Sequence, residues 1–181
     1  YKLPGGLSNL ISQVKAMGLK FGIWFEPEMI SPDSDIFRAH PDWHLHVTGR
    51  DSSIARNQYV IDYSRKEVRD YIYSQMYKIL SENDIDYVKW DSNRRVMSFG
   101  SPYLGEEQDR FYVEYVQGLY KVLDRIREKY PHIIVQCCSS GGNRVDYGSL
   151  RYFNEFWTSD NTDAISRVRI QWGTSLIYPS C

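Results

Sequence analysis

The sequence predicts an α/β fold: part of a (β/α)8 TIM barrel, with about five parallel strands joined by crossover helices. Three observations point there. Short apolar runs rich in β-branched and aromatic residues alternate with helical patterns, an order that calls for parallel strands. Each of the first four runs is followed by a polar or small cluster: EPEM at 26–29, DSNR at 91–94, SSGGN at 139–143 and SDNTD at 159–163. Barrels of this kind build their active sites from the C-terminal ends of several strands. The chain has 181 residues, whereas a complete barrel takes about 250. The expectation is therefore roughly strands 3 to 7, with strands missing at both ends and residues 1–181 forming one piece of a single domain. An open doubly wound sheet fits the same order of elements.

The elements follow in order. GLSNLISQVKAMG (6–18) places Leu7, Leu10, Ile11, Val14 and Met17 on one helical face. KFGIWF (20–25) reads as the first strand, and Pro27 ends its ladder. SRKEVRDYIYSQMYKILSEND (64–84) opens on Ser64 and Glu67, the spacing of a capping box, and repeats Val68, Tyr71/Ile72, Met76 and Ile79/Leu80 at helical spacing. Asp62 and Tyr63 are expected to serve the start of that helix. DYVKW (86–90) is the second strand. EEQDRFYVEYVQGLYKVLDRIREKY (106–130) is helical and stops at Pro131. HIIVQCC (132–138) and NEFWT (154–158) are the third and fourth strands, TDAISRVRIQW (162–172) a shorter helix, and TSLIY (174–178) the expected fifth strand.

Composition excludes several function classes. A formal net charge of −1 argues against a nucleic-acid or anionic-membrane partner. No run of about 18 apolar residues is present, so no membrane span is expected. The aromatic share is high, with five Trp, 15 Tyr and seven Phe; their flat faces suit sugar rings as well as a core. Cys137, Cys138 and Cys181 form no C-x-x-C pair and suggest no disulfide framework. That fits a reducing compartment, and a cytoplasmic location is expected. SSGGN lacks the spacing and the lysine of a P-loop, and no G-x-G-x-x-G follows a strand, so no nucleotide cofactor is expected. His44 and His46 have H-x-H spacing but lie in a long connection without an evident third ligand, so no metal is expected.

Two carboxylates stand out. In YVKWD, Lys89 and Asp91 share one face of a strand and Trp90 takes the other. An ammonium beside Asp91 would favour its ionised form, as a nucleophile requires; a structural ion pair at a strand end explains the same residues. In FWTSDNTD, Asp163 is placed to cap the next helix, which leaves Asp160 free to keep a proton and act as general acid. Two such carboxylates at different strand tips fit glycoside hydrolysis. Trp24 and Glu26 share a face of the first strand; Trp24 reads equally as a sugar platform or as core, and Glu26 and Glu28 are rival acid/base candidates.

Together the strings GLKFGIWFEPEM, QYVIDYSRKEV, YVKWDSNR, CSSGGNRVD and FWTSDNTDA resemble the α-galactosidases of glycoside hydrolase family 36. The resemblance covers the chain from about Gly18 to Tyr178. It implies a (β/α)8 barrel, a small α-galactoside as substrate, retention of anomeric configuration and a homo-oligomeric full-length protein. It makes Asp91 the nucleophile and Asp160 the acid/base. Trp24, Arg56 and Lys89 then hold or shape the galactosyl site, with Asn93 of the K-W-D-x-N string and Gly141 of the C-S-x-G-G loop beside them. Cys138 lies against the sugar near its 2-position. Ser140 and Asn143 stand where glycine is expected, which bears on galactose against N-acetylgalactosamine. The family's paired aspartates on an earlier strand have no counterpart here, so this stretch is expected to be inactive alone. Transglycosylation on the same scaffold and a non-catalytic sugar-binding barrel are the alternatives.

Overall fold

The computed structural model describes residues 2–178. Four strands form one parallel sheet: β1 (Gly22–Phe25), β4 (Tyr87–Trp90), β5 (Ile134–Cys137) and β6 (Glu155–Phe156), hydrogen-bonded in the order β1-β4-β5-β6. Helices α1 (Gly6–Ala16), α3 (Lys66–Glu82), α4 (Phe111–Lys129) and α5 (Ala164–Ser175) precede, link and follow them. A two-stranded antiparallel pair, β2 (Met29–Ile30) with β3 (Tyr59–Val60), brackets the long connection that carries the short helix α2 (Asp35–Ala39).

Register sorts the side chains. Val88, Trp90, Val135 and Cys137 alternate onto one face and are at most 2% exposed. There they meet the apolar stripes of α3 (Val68, Ile72, Met76, Leu80) and α4 (Phe111, Tyr115, Leu119, Val122, Leu123, Ile126). Each such buried aliphatic side chain contributes about 1.5–3 kcal/mol relative to exposure. The other face carries Trp24 opposite Lys89, Lys89 opposite Gln136, and Gln136 opposite Glu155. Trp24 on that row is half exposed, and the row ends at the strand tips that build the site. Gly118 lets α4 approach the strand-to-helix turn, because a Cβ there would fall 1.9 Å from the Tyr63 carbonyl oxygen.

Two expectations are corrected. The run 174–178 is not a fifth strand. Thr174 and Ser175 close α5, their hydroxyls bonded back to Ile170 O and Trp172 O at 2.8 Å each, and residues 176–178 form a turn. A five-residue apolar run does not separate strand from helix by periodicity, and here the helix capped by Asp163 extends into it as far as Ser175. Nor does the capping box form. Ser64 gives its hydroxyl to Asp62 Oδ1 at 2.5 Å, and the residue preceding α3, Arg65, makes no side-chain cap. Asp62 does organise the turn into α3, also accepting the Ser64 N–H at 3.0 Å. Tyr63 instead reaches back, donating its hydroxyl to Pro27 O at 3.0 Å.

Candidate active site

Asp91 is fixed by the sheet before its side chain is considered. Its N–H donates to Phe25 O at 2.8 Å, the Ser92 N–H donates to Cys138 O at 3.1 Å, and the Cys138 N–H donates to Trp90 O at 2.8 Å. These bonds carry the ladder past the end of β4 and hold Asp91 between the tips of β1 and β5. Asp91 is 6% exposed. Its Oδ2 accepts the Trp24 indole N–H at 3.0 Å and the Asn93 side-chain amide at 2.8 Å; its Oδ1 accepts the Ser92 N–H at 2.9 Å. Burial pushes the carboxyl up, yet hydrogen bonds from Trp24, Asn93, the Cys138 thiol and Ser92 outweigh it and hold Asp91 below its ordinary value. Hydrogen bonds to a charged group are each worth about 1.5–3 kcal/mol. Trp24 is thus neither core nor only a platform; its N–H is committed to Asp91.

Lys89 does not play the part expected of it. It makes no ion pair with Asp91; its ammonium lies over the Trp157 ring, 4.9 Å from the centroid. Neutral donors, not a cation, depress Asp91. Position i+2 along a strand puts two side chains on one face, but Trp157, just past β6, offers the ammonium an aromatic face there. The same indole donates its N–H to Asp160 Oδ1 at 2.9 Å. Asp160 is exposed. Asp163 caps α5 by accepting the Ser166 N–H at 2.8 Å, so Asp160 is free of that duty.

The loop after β5 touches both carboxylate-bearing segments, Cys138 meeting Asp91 and Gly141 lying against Ser159 and the Asp160 nitrogen. Burial pushes the Cys138 thiol up to about 11, the Gly141 N–H opposing and Asp91 adding to the rise. Cys138 is therefore a protonated donor at neutral pH. Gly141 has φ +87°, and a Cβ there would lie 3.1 Å from Ser159 Cα and 3.3 Å from the Asp160 nitrogen. Ser140 also takes a left-handed conformation, φ +48°, which is where glycine is at ease. Asn143 ties the loop with its amide to Ser139 O and Ser140 O at 2.8 and 3.0 Å.

Arg56 is not brought into this cluster by any contact of its own. It sits exposed at the tip of a tight turn, φ +54°, followed by Asn57 at φ +56°. Two successive left-handed residues make a type I′ turn between Ala55 and Gln58, and a non-glycine residue held so costs about 1–2 kcal/mol. The turn is anchored to the loop after β4: Arg94 Nη1 donates to Ser53 O at 2.7 Å and to Gln58 O at 2.6 Å.

Glu28 leaves the list of acid/base candidates. It is 1% exposed and paired bidentately with Arg144, at 2.6 and 2.7 Å, while also accepting the Trp90 indole N–H at 2.8 Å. Burial alone would push the Arg144 guanidinium down; Glu28 holds it above its ordinary value. This pair, Trp157 and Gln58 escaped the sequence reading, since nothing local marks which distant charge will meet which. Both His44 ring nitrogens are engaged, Nδ1 with Pro41 O at 2.6 Å and Nε2 with Ser52 Oγ at 2.7 Å. No group of three or more His, Cys, Asp or Glu able to hold a metal occurs among the described residues.

Comparison with known proteins bears on this arrangement. The melibiase family model matches residues 1–181. The α-galactosidase AgaA of Geobacillus stearothermophilus is 52% identical over 179 residues, covering 98% of this chain and 25% of its own. Mel36A of Lactobacillus acidophilus is 49% identical over 179 residues, covering 98% of this chain and 24% of its own. The crystal structure of AgaA, described as a GH36 α-galactosidase, superposes with a TM-score of 0.94 at 51% identity, over 97% of this chain and 25% of that one. AgaA variants have also been solved with raffinose and with stachyose. The chain thus spans about a quarter of the length of the curated relatives it matches. Across that span it belongs to the melibiase family, among the α-galactosidases of glycoside hydrolase family 36.

Proposed function

We propose that the protein carrying this chain releases terminal α-linked galactose from oligosaccharides of the raffinose type, by double displacement with Asp91 as nucleophile and Asp160 as acid/base. The observation that carries this reading is the contrast between the two carboxylates. Asp91 is buried and held ionised by four donors, whereas Asp160 is exposed and receives one, from Trp157. The raffinose and stachyose complexes of AgaA variants support the substrate class.

In the first step Asp160 gives its proton to the glycosidic oxygen as Asp91 attacks the anomeric carbon. The carbon–oxygen bond to the leaving sugar breaks, and a galactosyl ester forms on Asp91. In the second step Asp160 takes a proton from water as that water attacks the same carbon, freeing galactose and the Asp91 carboxylate. Trp24, Lys89, Asn93, Cys138 and Gly141 line the two tips, and Arg56 reaches the sugar from its turn. This chain is one part of the catalytic barrel, and other segments of the full-length protein complete the site; that protein is a homo-oligomer.

Raffinose hydrolysis by the full-length protein tests this. Asp91→Asn and Asp160→Asn are each expected to lower turnover by about two or more orders of magnitude. Near-normal turnover in either variant refutes its assigned role.

A further inference from the structure

Glu26 is joined to Asp91 by a single amide. Asn93 donates through Nδ2 to Asp91 Oδ2 at 2.8 Å and to Glu26 Oε1 at 2.7 Å, and its backbone N–H reaches the same Glu26 oxygen at 3.2 Å. From the other side Ser140 Oγ donates to Asn93 Oδ1 at 3.3 Å. The second Glu26 oxygen accepts from Gln58 Nε2 at 2.8 Å. Gln58 closes the turn that carries Arg56. A continuous path therefore runs from that turn through Gln58, Glu26 and Asn93 to Asp91.

Side-chain amides can present either end. Turned over, Asn93 would set its carbonyl against two carboxylate oxygens and its NH2 against the Ser140 hydroxyl. Glu26 makes that orientation costly, and both its own oxygens are filled by amide donors. We propose that Glu26 is a positioning residue for the reaction. It fixes the Asn93 amide on Asp91 and ties the Arg56 turn to the same point, rather than exchanging protons with substrate. This rests on the reading of Asp91 as nucleophile.

An unusual feature of Gln58 sharpens the test. Its Oε1 is buried and has no partner. If a glutamine replaces Glu26, turning the Gln58 amide over lets that oxygen accept from the new NH2 group. Glu26→Gln can therefore keep both contacts, whereas Glu26→Ala keeps neither.

The experiment uses the full-length protein, an aryl α-galactoside and added azide. Glu26→Ala is expected to lower kcat about 10- to 100-fold, with KM changed less than about threefold, as small misplacements of reacting groups do. Azide should not restore it, and Glu26→Gln should stay within about threefold of the parent. Unchanged kcat in Glu26→Ala overturns the proposal. So does a Glu26→Gln variant as impaired as Glu26→Ala and rescued by azide, because the carboxylate would then act on protons itself. If Glu26→Ala does not fold, Gln58→Leu removes the far anchor: a several-fold fall in kcat supports the path, and unchanged kcat overturns it. Asp91→Asn runs alongside; activity there refutes the nucleophile assignment, whatever Glu26 does.

Discussion

Trp157 donates its indole N–H to Asp160 at 2.9 Å while the face of the same ring carries the Lys89 ammonium, 4.9 Å from its centroid. One side chain past β6 thus meets both the candidate proton donor and the ammonium that β4 carries. Arg167 adds a second cation, its guanidinium 4.9 Å from that ring's centroid, and donates to Ser159 O at 2.8 Å, so the Trp157–Asp160 segment is held from the α5 side as well.

Trp157→Phe keeps an aromatic face, though a smaller one, and deletes the N–H. Asp160 then loses the group that orients it. The effect should depend on the leaving group, because a sugar alkoxide needs the proton more than a nitrophenolate does. Raffinose turnover is expected to fall about tenfold or more, and p-nitrophenyl α-galactoside turnover less, within the range of general acid catalysis. Equal losses on both substrates would contradict the acid role of Asp160.

Asp91 gives a pH prediction. Its carboxyl lies below the ordinary carboxylate value in the folded protein. The advantage of the ionised form is therefore present above the unfolded value and is lost as pH falls through the folded one. Trp24→Phe removes one donor from Oδ2, so the folded value rises. The acidic limb of kcat/KM is expected to move to higher pH, and an unmoved or lowered limb would contradict the role of the indole N–H.

Gly141→Ala tests the loop between the tips. The substitution strains a residue at φ +87° and sets a methyl 3.1 Å from Ser159 Cα, backbone that bears Asp160. Turnover is expected to fall at least about tenfold with a smaller loss of thermal stability, measured by kinetics and melting side by side. Wild-type kinetics would show that the loop does not set the Asp160 backbone.

Arg144 and Glu28 are a stability prediction. Arg144→Met leaves a carboxylate 1% exposed without its partner, and breaking a buried pair in this way costs about 3–5 kcal/mol. Denaturant unfolding of the full-length protein should show a lowered midpoint. The double variant with Glu28→Leu should recover much of it. A double variant as unstable as the single one would mean that the pair is not the source of the loss.

Much of this was legible in the sequence because strand tips announce themselves. The positions of β1, β4, β5 and β6 follow from short β-branched and aromatic runs, and the polar residues after them lie where the sheet ends. The residues named for the site divide by how local their partners are. Asp163 caps the helix that follows it, as its place in N-T-D-A suggests. Strand alternation alone points Lys89 toward Asp91, but its ammonium meets Trp157, a partner 68 residues later in the chain that nothing local marks. Glu28 read as a candidate acid until Arg144, 116 residues away, filled both its oxygens. The run 174–178 misled for a different reason: its apolar content suits a strand, but the helix capped at Asp163 continues into it.

The central claim is that Asp91 attacks the sugar and holds it covalently. Proton NMR during hydrolysis of an aryl α-galactoside by the full-length protein tests it most directly, with Asp91→Asn as the control. The account predicts that α-galactose forms first and mutarotates later, and that the variant forms none. Initial release of β-galactose would mean a single inverting displacement, and Asp91 would not be the covalent nucleophile.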